Sequence, residues 1–394
     1  MPSSAARLDL VDALRGFAIA SIMLLHNIEH FDLTHLPAGQ PAWLSGLDRY
    51  VWDAAFFLFG GKSYAIFALL FGVTFHLQFS ARAARGQDFR PRFVWRMALL
   101  LAFGLCNSLF YQGDILTLYA VLALALLPMA RLRDGVVLAI ALLLLLQPHA
   151  WLALLRALPA PAASLPDPAS WAYFGRANDY LANGTLFDVW YGNLTNGKEG
   201  VVRWSWEIGR LFQIPALFML GMLAARRGRF ALSEANRTFW QRALLLALLA
   251  FVPLYAVDGQ LGQWLAAEGV RRPVSVMVQS WMKLAFMVVL VALFALACHA
   301  PAGARLLRSL APLGRMSLTN YVLQSLVGTT LYYGFGLGLY RVTGATACLL
   351  IGIGLALLQG CLCAWWLRHH RQGPLEALWH RATWAGAGRR LAAA

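Results

Sequence analysis

The chain has 394 residues, of which 60% are hydrophobic and 13% charged, against about 25% charged in an ordinary soluble domain. That excludes water as its main solvent, and the net charge of +15 does not indicate nucleic-acid binding, because the basic residues are not gathered on a soluble face. Nearly all of them are Arg, with Lys only at 62, 198 and 283, and they fall mainly in alternate loops between apolar segments, which is the positive-inside signature of a multi-pass membrane protein.

Windows of about 20 apolar residues predict an all-α, polytopic transmembrane bundle of about ten helices. They fall near 13–32, 56–79, 93–110, 114–130, 135–156, 207–225, 239–256, 275–298, 317–339 and 344–367. The first is read as an uncleaved helix, since no small-residue cleavage site follows it and His26-Asn27 interrupts where a signal peptide would end. The loops with Arg82, Arg85, Arg90, Arg92 and Arg96, with Arg131 and Arg133, and with Arg226, Arg227, Arg229, Arg237 and Arg242 are predicted cytoplasmic. Arg305, Arg308 and the tail from Arg368 agree, while Asp32, Asp48, Asp53, Asp258 and Glu268 mark the opposite side. Both termini are then cytoplasmic, and residues 1–394 form a single transmembrane domain.

The longest connection, 157–206, is predicted as an extracytoplasmic loop insertion in that domain. Its aromatics Trp171, Tyr173, Tyr180, Trp190, Tyr191, Trp204 and Trp206 suit an interfacial belt or stacking on sugar rings. The five cysteines lie in apolar segments with no CxxC pair, which argues against a disulfide framework or a zinc site.

Ionisable groups at membrane depth are costly and therefore functional candidates, although many simply pair with one another. Asp9, Asp12 and Arg15 open the first helix, where the two acids are placed to cap free N–H groups. Asp12 and Arg15 at i,i+3 suit a structural ion pair, and Arg15 equally suits a phosphate. His26 follows Arg15 by eleven residues, about 16 Å along a helix, with His30 one turn on and Glu29 beside it. A histidine there can accept a proton at neutral pH, with a carboxylate such as Glu29 orienting the ring. The alternative is a histidine bonded across helices. The HxxxH spacing is a weak metal signal, and no metal is expected.

Lys62, Ser63, Asn107, Asp114, Glu207, Arg210, Gln213, Gln279 and Lys283 fall on the outward halves of their segments and together suit one cavity open to the outside. Arg315, Thr319, Asn320 and Gln324 step along the ninth helix from the other end. Such a polar load suits a polar ligand that reacts in the bundle or passes through it.

Five ordered segments carry a resemblance. Asp12-Ala-Leu-Arg-Gly-Phe-Ala18, Gly61-Lys-Ser-Tyr-Ala-Ile-Phe-Ala-Leu-Leu-Phe-Gly72, Gly113-Asp-Ile-Leu-Thr-Leu-Tyr-Ala120, Gly314-Arg-Met-Ser-Leu-Thr-Asn-Tyr-Val-Leu-Gln-Ser325 and the 373–379 segment Gly-Pro-Leu-Glu-Ala-Leu-Trp resemble the YeiB family of bacterial inner-membrane proteins. The resemblance spans about the whole chain. That family has been described both as transporters and as relatives of transmembrane acyltransferases. The D-x-x-R-G start is similar to that of surface-polysaccharide O-acyltransferases and of heparan glucosaminide N-acetyltransferase. In the O-acyltransferases a histidine at about the spacing of His26 is the catalytic base. YeiB-type proteins commonly carry Asn where this chain has His26, and the paired-arginine motif of many O-acyltransferases has no clear counterpart here.

The resemblance implies a multi-pass protein of the bacterial inner membrane that moves an acyl group from a cytoplasmic acyl-CoA-type donor to a hydroxyl or amine in or beyond the membrane. Arg15, Arg92, Arg96, Arg315 and Asn320 would hold the donor. His26 would act as base, with His30 and Glu29 beside it, and Asn27 or Asn320 would stabilise the oxyanion. Lys62, Asp114, Arg210, Gln213 and Gln324 are the candidates to bind the acceptor. A secondary transporter of a small polar solute is the rival reading, and a non-catalytic membrane partner a third. The expected partners are the lipid bilayer, the donor and the acceptor, with no nucleic acid, and a homo-oligomer is compatible with each reading.

Single-cysteine labelling in a Cys-free background tests the orientation. Loops 82–92 and 226–237 should react only from the cytoplasmic side and 160–200 only from outside, and labelling of all three from one side would remove the charge argument.

Overall fold

The computed structural model describes residues 4–33, 35–161 and 165–385. The chain ends, whose cytoplasmic placement is predicted from charge, extend into residues 1–3 and 386–394, which lie outside the described residues. The helices in the first half are α1 (Ser4–Ile28), α2 (Ala42–Phe59), α3 (Ser63–Ala83), α4 (Arg90–Ser108), α5 (Leu116–Leu122), α6 (Leu126–Met129), α7 (Asp134–Leu145) and α8 (Pro148–Ala157). Then come α9 (Ala169–Asn183), α10 (Leu186–Gly192), α11 (Lys198–Glu207), α12 (Arg210–Arg226), α13 (Glu234–Trp264) and α14 (Glu268–Ala297). The chain closes with α15 (Pro301–Arg308), α16 (Ala311–Arg315), α17 (Ser317–Tyr332), α18 (Ala345–His369) and α19 (Pro374–Trp384). No strand occurs among the described residues.

The outer surface identifies the solvent. Leu245, Leu246, Leu249 and Val252 on α13, Leu142 and Leu143 on α7, and Leu350, Leu357 and Leu358 on α18 are all exposed. An apolar belt of this extent is stable against lipid and not against water. A helix stands at each of the ten predicted positions, but length and apolarity alone qualify five spans among the described residues: Asp9–Ile28, Ala42–Ala83, Glu234–Trp264, Glu268–Ala297 and Ala345–His369. Two bent pairs, α7 with α8 and α10–α11 with α12, raise this to as many as seven. The protein is thus an all-helical membrane protein.

Glycines set how closely the inner helices approach. A Cβ on Gly16 would overlap the Leu310 carbonyl, and one on Gly314 the Asp12 carbonyl, so α1 and the segment around α16 meet backbone to backbone. Gly72 against Phe218 and Gly221 against Leu69 do the same for α3 and α12. Such contacts replace the hydrophobic drive that lipid does not supply. They also give Gly16 of the Asp-x-x-Arg-Gly segment a packing role.

Several expected boundaries differ. The segment predicted as one helix over 56–79 is two, α2 and α3, separated at Gly60–Lys62, where Gly61 has φ +76°. Asp9 and Asp12 do not cap α1, because the helix begins at Ser4, and Asp12 instead accepts from Arg15 at 2.7 Å. The 157–206 connection is mostly helical: Thr185 and Asp188 form a capping box that starts α10, and a π-helical turn, Asn193–Gly197, joins α10 to α11. This insertion packs on the end of the bundle where α1 and α4 terminate, through Asn193 Nδ2 on the carbonyls of Leu109 and Phe110.

Gly16→Ala and Gly72→Ala should each lower the thermal midpoint in detergent, because overpacking costs about 1–3 kcal/mol. Gly354→Ala on α18, where a Cβ meets nothing within 4 Å, should leave the midpoint unchanged or raised.

Candidate functional site

One large cavity, about 1630 Å³, opens at the end of the bundle where α1 terminates. Pockets for small ligands usually measure about 300–1,000 Å³, so this one suits a larger or only partly inserted molecule. His26, Glu29, His30 and Asp32 line one side, and Lys62, Tyr64, Arg210, Gln213, Ser280 and Lys283 contribute to the rest.

The α1 side is shaped by the way that helix stops. His30, Phe31 and Asp32 have φ of 48°, 55° and 69°, three successive left-handed residues without a glycine. Each such conformation costs on the order of 1–3 kcal/mol and persists only where the surroundings over-determine it. Here Tyr333 donates to the Phe31 carbonyl at 2.6 Å, and His30 Nε2 lies 2.9 Å from the Thr343 carbonyl. The Tyr111 hydroxyl donates to Asp32 at 3.2 Å. The Phe31 ring is fully buried against Gly328, where any Cβ would overlap it. This turn fixes the last coil of α1 and with it His26 and Glu29.

His26 packs between aromatic rings, with centroids 4.7 Å from Tyr111, 5.4 Å from Phe31 and 6.5 Å from Tyr321. Its ring nitrogens have no hydrogen bond among the described residues, in contrast to His30, which is 4% exposed and bound to Thr343. The Tyr321 hydroxyl accepts from the Ile115 N–H at 3.1 Å, which leaves its own O–H to donate. Glu29 and Asp32 lie beyond the end of α1. Burial pushes the Glu29 carboxyl above its usual range, helped by the like charge of Asp32 and opposed by Arg210. Burial also raises Asp32, against the Tyr111 hydrogen bond.

The opposite side is built where helices break. At the α2–α3 break Lys62 donates to the Phe57 and Phe56 carbonyls at 2.7 and 3.2 Å, supplying donors that a helix end lacks. The α7–α8 break centres on Gln147, with φ 60°, whose Nε2 donates to Ser280 Oγ at 2.7 Å. Gly209, with φ +76°, turns the chain through 72° into α12, and a Cβ there would overlap the Gln147 side chain. Gln213 accepts from Tyr64 and donates to Ser280 Oγ at 3.3 Å. One polar chain, Tyr64–Gln213–Ser280–Gln147, therefore ties all three breaks to α14.

Other sequence candidates lie elsewhere. Asn27 is fully buried, donating to the Met23 carbonyl at 2.8 Å and accepting from Tyr332 at 2.9 Å. Asp114 accepts from Asn107 and the Thr117 N–H and lies 3.7 Å from Lys198 Nζ. Gln324 donates to the Ile19 carbonyl at 3.3 Å, and Asn320 to that of Leu313 at 3.0 Å. Arg15 is held by Asp12 and by Thr74 at 2.9 Å. Arg92 donates to the Thr383 carbonyl at 2.7 Å, Arg96 lies 3.9 Å from the Trp379 ring centroid, and Arg315 donates to the Arg371 carbonyl at 3.3 Å. The cavity thus gathers His26, Glu29, His30, Lys62, Arg210 and Gln213, and none of Asn27, Asp114, Gln324, Asn320 or the four arginines of the far end. Tyr64, Tyr111, Trp204, Ser280 and Tyr321 line it without having been singled out as site residues; of these, only Tyr64 and Tyr321 stood inside a motif. No cluster of His, Cys, Asp and Glu that could hold a metal ion occurs among the described residues.

The raised Glu29 carboxyl has a pH consequence. The folded chain holds that proton more tightly than the unfolded chain, so its contribution to stability is complete below the ordinary value of 4.5 and fades as pH rises through the folded value. Replacement by Gln should lift the thermal midpoint at alkaline pH relative to wild type and leave it nearly unchanged at pH about 4. Parallel midpoint–pH curves for the two proteins would contradict the burial of that charge.

Residues 224–386 match the family model described as "Protein of unknown function (DUF418)". The chain is 27% identical to the uncharacterized protein YxaH of Bacillus subtilis (strain 168), over 96% of this chain and 94% of that one. It is 28% identical to the uncharacterized protein YeiB of Escherichia coli (strain K12), over 96% of each. It is 26% identical to an uncharacterized 39.9 kDa protein in the amylase 3' region of Bacillus acidopullulyticus, over 96% of this chain and 94% of that one. No solved structure matches the chain. The family model thus matches the C-terminal part of the chain, and nearly the whole length is similar to the YeiB and YxaH proteins, which supports a YeiB-like family.

Proposed function

We propose that this protein is a multi-pass acyltransferase of the bacterial inner membrane. In this reading the arginine-rich end and both termini face the cytoplasm, and the cavity opens to the other side. An acyl-CoA-type donor approaches from the cytoplasm, and a hydroxyl or amine acceptor enters the cavity. The observation that carries the reading is His26: an imidazole on the wall of the large cavity, free of hydrogen bonds among the described residues, eleven residues along the same helix from Arg15.

The step is a direct transfer. His26 takes the proton from the acceptor O–H or N–H as the heteroatom attacks the thioester carbonyl. The C–S bond then breaks, and the departing thiolate recovers the proton from the imidazolium. The Tyr321 O–H, aimed from the same wall, is better placed than Asn27 or Asn320 to stabilise the oxyanion, because both amides are committed to other partners. Arg15, Arg92, Arg96 and Arg315 are the donor-side candidates. Each is held by a contact within the protein, so donor binding requires exchange of those contacts.

A second reading, secondary transport of a polar solute, is favoured by one specific observation. Two helix breaks line the cavity, at Gly60–Lys62 and beside Arg210, and transporters build their binding sites at such breaks. Saturating acyl-CoA should raise the thermal midpoint of the purified protein under the acyltransferase reading. His26→Ala should lower acyl transfer to a cell-derived acceptor extract by about 10²–10⁴-fold while the protein stays monodisperse. An unmoved midpoint with acyl-CoA, together with uptake of a solute into vesicles that survives His26→Ala, would replace the enzyme with the transporter.

A further inference from the structure

We infer that the cavity is an anion-binding site: it receives a phosphate or carboxylate group on the guanidinium of Arg210, with Lys283 and Lys62 as flanking cations. This deepens the proposed function by naming the acceptor's chemical class, and it rests on that reading only in taking the cavity as the acceptor's place.

Arg210 is the first residue of α12, immediately after the left-handed Gly209. Its guanidinium lies between two rings, 4.1 Å from the Tyr64 centroid and 4.2 Å from that of Trp204. These ring contacts satisfy none of the charge on the guanidinium with an anion, which leaves its N–H groups as the part that binds one. No carboxylate comes within the 4.0 Å of an ion pair with Arg210 among the described residues, and its Nε is buried without an acceptor. A buried guanidinium donor left unpaired is costly, and planar, bidentate pairing with phosphate or carboxylate oxygens is the interaction that satisfies it.

The neighbours agree in sign. Lys283 lines the same cavity and has one hydrogen bond among the described residues, a 3.4 Å contact to Gln279 on its own helix. Lys62 lines it too, 4% exposed and held by the end carbonyls of α2. The N-terminus of α12 adds the positive end of a helix dipole. Among the carboxylates around the cavity, Asp258 lies within electrostatic reach of Lys283 without forming an ion pair among the described residues, and most of the others have partners within the protein. Glu268 pairs with Arg272, Asp48 caps the start of α18 through the Thr346 N–H at 2.8 Å, and Asp32 accepts from Tyr111. Glu29 faces the cavity from the His26 side and forms no ion pair among the described residues. A ligand anion on Arg210 would thus be directed away from the acidic side, with the rest of the molecule extending toward His26. The cavity volume suits an anion carried on a larger body, either a soluble phosphorylated compound or a lipid headgroup.

The test is binding to the full-length protein without any acyl donor, so that a failure of acyl transfer leaves it unaffected. Thermal midpoint titrations with sodium phosphate and with glucose 6-phosphate form the soluble arm. Nanodiscs of phosphatidylglycerol, compared with phosphatidylcholine, form the lipid arm. At least one arm should raise the midpoint of the wild-type protein. Arg210→Gln should weaken that arm's apparent affinity tenfold or more and Arg210→Lys by less, while Arg203→Gln, an exposed arginine paired with Glu199, leaves it unchanged. Should Arg210→Gln fail to fold, Lys283→Gln takes its place, with a several-fold weakening expected. No midpoint shift in either arm, equal shifts with phosphatidylglycerol and phosphatidylcholine and none with the soluble phosphates, or unchanged affinity in the cavity variant would overturn the proposal.

Discussion

The rest of the structure depends on one constraint: a helix that breaks inside a membrane must find partners for its freed backbone groups within the protein, because lipid offers none. Three of the helix breaks among the described residues are bridged by side chains. Lys62 takes the end carbonyls of α2. Trp281 donates to the Leu145 carbonyl at 2.7 Å where α7 ends. Gln147 and Gln213 both reach Ser280. The residues that repair the breaks are polar and converge on α14, so the repair itself creates a polar wall deep in an apolar bundle. The cavity follows from the breaks.

Much of this was legible in the sequence. Predominantly apolar windows predicted helices at ten positions, and a helix stands at each, because burial in lipid removes the need for a polar stripe. The outward polar residues Lys62, Ser63, Arg210, Gln213, Gln279 and Lys283 were expected to share one cavity, and all six line it. Asn107, Asp114 and Glu207 had the same depth signature and went elsewhere. Asp114 turned toward Lys198, and Glu207 accepts from the N–H and hydroxyl of Ser170. Sequence position fixes depth along a helix to within a turn, but not which neighbour a helix face meets. That choice belongs to the glycine contacts that set helix rotation and spacing, and these involve residues far apart in the chain.

The arginines show the other limit. Their distribution is read as an orientation signal, yet several also have packing partners. Arg82 and Arg92 both lie over the Trp384 ring and Arg96 over that of Trp379, while the Trp379 Nε1 donates to the Arg96 carbonyl. From the same tail, Glu376 caps the start of α17 by accepting from the N–H groups of Leu318 and Thr319. The Gly-Pro-Leu-Glu-Ala-Leu-Trp segment therefore ties α4 to the start of α17. A basic residue beside a predicted helix carries no mark in the sequence of whether it faces lipid phosphate, a ligand or a tryptophan.

The strained end of α1 connects fold to chemistry. A helix running on past Ile28 would aim His30 and Asp32 by continuing its regular rotation. Instead the chain takes three left-handed steps, which drive Phe31 into the core between Tyr111, Tyr332 and Gly328 and leave His26 on the last turn of α1 and Glu29 just beyond it, both lining the cavity. The hydroxyl of Tyr111 binds Asp32 and its ring packs on His26, so one side chain couples the turn to the imidazole. Strain of this kind is retained where it holds a group in a position that a relaxed helix would not. Here the group held is an imidazole whose nitrogens have no hydrogen bond among the described residues, in a cavity also lined by the Arg210 guanidinium. Both residues line the same cavity, and a ligand with a hydroxyl or amine near one end and an anionic group near the other engages both at once.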